Sequence, residues 1–405
     1  MTTMMMATTP LGRRGFGSLL LATAFAVVVR PSFGLGATDD PPAPLRTVNV
    51  STSTQLNTAL NNALPGDHIV LANVTFSGAR TLARAGTATA PIVIKAATKH
   101  GATLTGTLTL AGRYTVAYGL RFTGNSLGVQ FAADDTAVLR CWFLGPRGTR
   151  ATSQKRVRVA YNRFSGGPIS GQSDPHHVFF DVPRGTTTGL PEGGRVHRND
   201  LSSASGSGAS EETRHIYIGE GGGQGEDIHP SLTDFRIEYN RISNSVRRRG
   251  IYTKRGGTIE FNHVLGRGPG VTGIRHGGRG AFSGNRCDNI DSVIVNGPDH
   301  QIRGNWVRSR RGMVLESERR TSSGIRYNAA HRALLVGNDA NVTVGYIKSG
   351  DTLVAPVDGV QIYNHVGSVV LRQQTNTTWV QEPWPDMTAP APITLQPGQV
   401  GPDAP

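Results

Sequence analysis

Residues 258–307 read TIEFNHVLGRGPGVTGIRHGGRGAFSGNRCDNIDSVIVNGPDHQIRGNWV. Three short runs in this stretch end alike: TIEFNHV, AFSGNRC and QIRGNWV, with their asparagines at Asn262, Asn285 and Asn305. Those asparagines are 23 and 20 residues apart. Upstream, RVAYNRF, HRNDL and RIEYNRI carry Asn162, Asn199 and Asn240, and YGLRF and LRCWF extend the series through Leu120 and Cys141. Downstream, GIRYNAA and VQIYNHV place Asn328 and Asn364 at the same phase. Longer gaps read as one coil plus an inserted loop.

A period of just over 20 residues, with strand-type alternation and no helical pattern, points to a solenoid. Leucine-rich repeats have a similar period, but they need regular leucines and a helical segment that this chain lacks. The reading is all-β: a single-stranded, right-handed parallel β-helix. Asparagine suits a fixed phase because it tolerates left-handed turns and its amide can bond to the next copy one coil away. Near the start, STQLNTALNNALPG predicts a short helix with Leu56, Leu60 and Leu64 on one face, closed by Pro65 and Gly66. Such a helix caps the open end of the solenoid.

The flanks differ from this body. Residues 1–37 carry twin arginines, Arg13 and Arg14, before an apolar run that ends at Arg30 and Pro31. That is a twin-arginine type export signal, too short for a comfortable membrane span. The domain reading is therefore 1–37 signal, 38–382 β-helix, and 383–405 a proline-rich tail with little fixed structure. The net charge is +14, and three of the arginines lie in the leader, so the remainder carries +11. A basic, exported monomer points to an acidic polysaccharide as partner, not to nucleic acid or, after cleavage, a membrane. The two cysteines, Cys141 and Cys287, match no metal spacing and read as separately buried thiols or as one bond.

The densest charge is RRRGIYTKRGG, residues 247–257, with five cationic side chains in eleven. One coil later comes TGIRHGGRG, and the 21-residue step from Lys254 to Arg275 predicts that the two stack on one face. Alternation puts Arg247 and Arg249 on a shared face. This makes a cationic groove, able to grip a uronate polymer or to cleave it by β-elimination. Cleavage needs a base for the C5 proton, an acid for O4, and fixed positive charge on the carboxylate. Lys254 suits the base, because adjacent cations disfavour its protonated form. Arginine suits the carboxylate.

Residues 236–285 resemble the core of family 6 of the β-helical polysaccharide lyases, which includes alginate lyases and chondroitinase B. Lys254 matches the family's lysine base, and Arg275-His276-Gly277 its RHG, whose arginine takes part in catalysis. LPGDHIVL and GTATAPIVIKA resemble the opening coils. The family holds a calcium ion with two acidic residues and an upstream asparagine. Here those positions fall on Arg247, Arg249 and Tyr217, so the resemblance implies no calcium and no other cofactor. In that respect the chain is more similar to the calcium-independent family 31, which implies Tyr217 as the acid. His276, His215 (by alternation with Tyr217) and His229, in a glycine-rich insertion, are expected to face substrate; His176 and His177 are further candidates.

The expected activity is a secreted lyase for alginate, with polyglucuronate or a glycosaminoglycan as other substrates. A pectinase-like hydrolase needs two or three carboxylates on the groove, and residues 241–285 contain Glu260 but, apart from it, no acidic residue. A non-catalytic polysaccharide binder is the remaining alternative.

Overall fold

The computed structural model describes residues 39–166, 176–182, 191–202, 214–219, 234–243, 249–268, 270–321, 326–375, 377–380, 395 and 399–401. The expected export signal, Arg247, His229 and most of the proline-rich tail lie outside them. Three parallel sheets of 14, 12 and 10 strands run the length of the chain, each strand pairing with its counterpart one coil away. They are called here the long, site and short sheets. The architecture is the expected right-handed parallel β-helix.

Inward side chains stack in rows, because each coil repeats the last at one strand spacing. Phe122, Phe143 and Phe164 stack face to face, with centroids 4.7 and 4.6 Å apart. Isoleucine, valine and leucine fill most other rows, so one apolar core extends from the first coils to the last.

The asparagine row lies at a corner between the long and short sheets. Asn162, Asn199, Asn240, Asn262, Asn285, Asn305 and Asn338 each pass a side-chain bond to the next, with Nδ2 to Oδ1 distances of 2.9–3.0 Å. The same oxygen accepts the backbone N–H of the preceding asparagine, as where Asn262 N donates to Asn285 Oδ1 at 3.0 Å. The left-handed residue is the one before: Tyr161, Arg198, Tyr239 and Phe261 have φ of 53–56°, and Gly284, Gly304 and Gly337 follow suit. The turn is thus carried by one residue and the ladder by its neighbour.

Two expected members are displaced. Asn328 follows Arg326–Tyr327, which pairs antiparallel with Glu318–Arg320, the middle strand of a small side sheet whose other edge is Thr352–Ala355. Asn338 takes its place in the ladder. Asn364 is itself the left-handed residue, with φ of 45°, so the residue after it, His365, holds the asparagine phase.

The helix is Ser53–Asn61, capped by Thr52 and Gln55 in a reciprocal box. Leu56 and Leu60 join the core, but Leu64 lies beyond the helix and is exposed. Cys141 and Cys287 are buried and free, in different rows. At the other end the described tail residues are packed: Leu395 and Val400 are buried, and Gly401 N donates to Arg198 O at 2.7 Å. Asp39 and Asp40 are held too, by Arg158 at 2.7 Å and Arg140 at 3.0 Å.

Candidate active site

The site sheet runs through His176–Asp181, Arg214–Gly219, Arg249–Thr253 and Thr272–His276. Ile216, Ile251 and Ile274 point inward in one row. The residues after them point outward: Phe179, Tyr217, Tyr252 and Arg275 are register neighbours on four successive coils. The rings of Phe179 and Tyr217 stack at 5.2 Å, and those of Tyr217 and Tyr252 at 5.3 Å. The Arg275 guanidinium carbon lies 5.4 Å from the Tyr252 centroid.

A second outward row runs alongside, made by His176, Arg214, Arg249 and Thr272. Arg214 sits 4.2 Å from the Tyr217 centroid and Arg249 4.7 Å from that of Tyr252. Aromatic faces attract these guanidiniums and hold them close to the rings. Tyr217 is 2% exposed and Arg214 6%.

A third row is made of small residues and one amine. Lys254 N donates to Ile218 O, and Gly277 N donates to Thr253 O, so Lys254 lies between Gly219 and Gly277 on adjacent coils. A Cβ at Gly219 would fall 2.8–2.9 Å from the ring and hydroxyl of Tyr217. Tyr217 therefore leans over Gly219, toward the row that holds Lys254, in a position that only glycine permits.

The stacking of Lys254 on Arg275 does not occur. Arg275 faces Tyr252, and Lys254 lies two residues further along the strand, still on the outward side. Both remain on one face of one sheet, as elimination chemistry requires. Arg249 is there as expected.

The histidines divide. His215 and His276 are fully buried and point into the solenoid. His215 Nδ1 meets His177 Nδ1 at 3.0 Å, and His276 Nδ1 meets Thr253 Oγ1 at 2.9 Å. Alternation fails at His215: His215 and Ile216 are both fully buried, and the outward neighbour of Tyr217 is Arg214. Burial, reinforced by the neighbouring His300, holds His276 well below the usual histidine range. It is a neutral wall residue behind Thr253 and Lys254. Of the pair at 176–177, His176 lines the outward face, edge-on to Phe179 and Tyr217 at 4.9 and 5.1 Å.

Sequence reasoning missed Arg214, Tyr252 and Glu316. Glu316, two coils beyond Arg275 on the same sheet, receives Arg275 Nη2 at 3.0 Å and Arg319 Nη2 at 3.2 Å. Arg214 and Tyr252 were findable from the register Tyr217–Tyr252, a 35-residue step that includes an insertion. No spacing signals Glu316.

A family model described as chondroitinase B matches residues 50–138, the first coils. No curated relative matches the chain. Among solved structures, a family 6 polysaccharide lyase from Pseudopedobacter saltans superposes with a TM-score of 0.62 at 15% identity, over 88% of this chain and 99% of that one. A mannuronic-acid-specific family 6 lyase from human gut microbiota gives 0.63 at 16%, over 81% and 83%. A family 6 alginate lyase gives 0.60 at 19% over 86% of this chain, which spans 54% of that longer protein. The fold is that of the family 6 polysaccharide lyases.

Proposed function

We propose that the protein is a secreted polysaccharide lyase that cleaves a uronate polymer, alginate first, by β-elimination. The observation that carries this reading is the shared outward face of Tyr217, Arg249, Arg275 and Lys254, on a solenoid with the fold of the family 6 lyases and a chondroitinase B match in its first coils. The relatives named as alginate and mannuronate lyases support the choice of polymer.

In this reading the substrate carboxylate meets the guanidiniums of Arg214 and Arg249, which neutralise it so that charge can develop at C5. Lys254, as the free amine, takes the C5 proton. The electron pair forms the C4–C5 double bond, the bond from C4 to O4 breaks, and the Tyr217 hydroxyl gives its proton to O4. The ammonium of Lys254 then returns a proton toward the tyrosinate through solvent. Arg275, held by Glu316, keeps positive charge beside this path.

Family 6 calcium ligation does not fit these residues. Arg249 and Tyr217 occupy two of the three positions where the resemblance calls for ligands, and a guanidinium repels a divalent cation instead of binding it. No step is routed through a metal.

The test is a panel of polymannuronate, polyguluronate, polyglucuronate and chondroitin, with and without chelator, read by the ultraviolet absorbance of unsaturated ends. Unsaturated product from at least one uronate polymer, insensitive to chelator, is expected. No unsaturated product from any would end the lyase reading. Loss with chelator and return with calcium would end the account of the guanidiniums.

A further inference from the structure

The short sheet carries a second cationic row, away from the site sheet. Arg121, Trp142 and Arg163 face outward as register neighbours on three successive coils. The two guanidinium carbons lie 5.2 and 5.3 Å from the Trp142 ring, one from each adjoining coil. The indole Nε1 donates to Ser165 Oγ at 3.0 Å, and His100 meets the ring edge-on at 5.8 Å. The ring is thereby fixed, and the two arginines are held two strand spacings apart, about 10 Å.

Most arginines on the outer faces of this solenoid are neutralised. Arg113, Arg156, Arg241, Arg286, Arg308 and Arg332, for example, each bond an aspartate. Among the described residues neither Arg121 nor Arg163 has a carboxylate within ion-pair distance, and Arg121 Nε is buried without a partner. Asp200 adjoins Arg163 in register and feels its charge, but the carboxylate hydrogen-bonds Arg241 at 3.2 Å and forms no ion pair with Arg163. Holding two cations at fixed spacing without directly paired carboxylates costs electrostatic energy, and this cost is relieved when a polyanion lies across them.

We infer that the Arg121–Trp142–Arg163 row is an auxiliary binding site for the acidic polysaccharide itself, gripping a carboxylate-bearing stretch of polymer remote from the cleavage site. The identity of the polyanion rests on the lyase reading; the site does not. A chain held on the short sheet raises the local concentration of polymer at the site sheet, without touching the reacting atoms.

The experiment compares wild type with Arg121→Glu/Arg163→Glu, and with Arg163→Gln alone, a change at an exposed side chain. Retention on immobilised polymannuronate is measured across a salt series, with a neutral glucan as control and turnover of a short mannuronate oligosaccharide in parallel. The double variant should bind the polymer about tenfold more weakly, with a shallower salt dependence, and the single variant about threefold. Oligosaccharide turnover should stay at the wild-type level. Unchanged polymer retention and salt slope in both variants would overturn the inference, as would equal loss on the neutral glucan. Absence of unsaturated product from wild type would end the lyase reading while leaving the retention result to judge this site.

Discussion

Arg275 and Glu316 form an ion pair at 3.0 Å, on side chains that are 7% and 3% exposed. The carboxylate also receives Arg319, which in turn reaches Asp351. Breaking a buried pair by removing one partner strands the other charge, which typically costs about 3–5 kcal/mol. Glu316→Ala should therefore lower stability by about that amount, seen as a shifted denaturant midpoint. Activity should fall beyond the loss of folded protein, because Arg275 is no longer held against Tyr252. A midpoint within about 0.5 kcal/mol of wild type would show that the pair is dispensable.

Lys254→Ala tests the division between gripping and cleaving. A general base contributes on the order of 10²–10⁴ in rate. The variant should lose at least a hundredfold in kcat while its polymer affinity falls only a few-fold, with the loss shrinking at high salt. Equal losses in kcat/KM and affinity would mark the face as a binding surface alone.

Gly219→Ala acts through shape. The added methyl meets the Tyr217 ring and hydroxyl at 2.8–2.9 Å, so the phenol must swing away from the Lys254 row. Overpacking of this kind costs about 1–3 kcal/mol. The expected result is a larger drop in kcat than in affinity, as for a misplaced acid. Wild-type kcat would remove Tyr217 from the proposed role.

The buried histidines predict a pH limit. Burial pushes His300 down to about 4, and His276 is lowered as well. Both are neutral when folded, whereas an unfolded histidine takes up a proton near 6.5. Below that pH the unfolded chain binds more protons than the native one, so stability is complete above about 6.5 and declines as pH falls toward 4. His300 alone accounts for about 3 kcal/mol over that window. Denaturation at pH 7.5 and pH 4 measures it, and a flat profile would contradict the buried, neutral assignment.

Asn262→Ala interrupts the corner ladder. Its amide donates to Ile237 O and Asn285 Oδ1 and its oxygen accepts twice from Asn240. Unsatisfied buried partners cost about 1–3 kcal/mol each, so a loss of about 2–4 kcal/mol is expected. Asn364→Ala, at a residue outside the ladder, should cost far less, and similar losses for the two would refute the ladder's role.

The fold, and the sheet to which Lys254, Arg249 and Arg275 belong, were legible in the chain itself, because a solenoid repeats its geometry and so writes its period into the spacing of asparagines and inward apolar residues. That period put Lys254, Arg249 and Arg275 on one sheet. It did not set their register: His215 and Ile216 are both buried in succession, and Lys254 fell beside glycines instead of Arg275. An insertion hid the displacement of Asn328 by Asn338, and the approach of Glu316 to Arg275 across two plain coils is a matter of side-chain reach that the period does not report. A repeat determines which sheet a residue joins, since pairing is local and periodic. Which way a side chain faces, and which distant charge meets it, depends on bends and on packing between coils, and these exist only once the solenoid has closed.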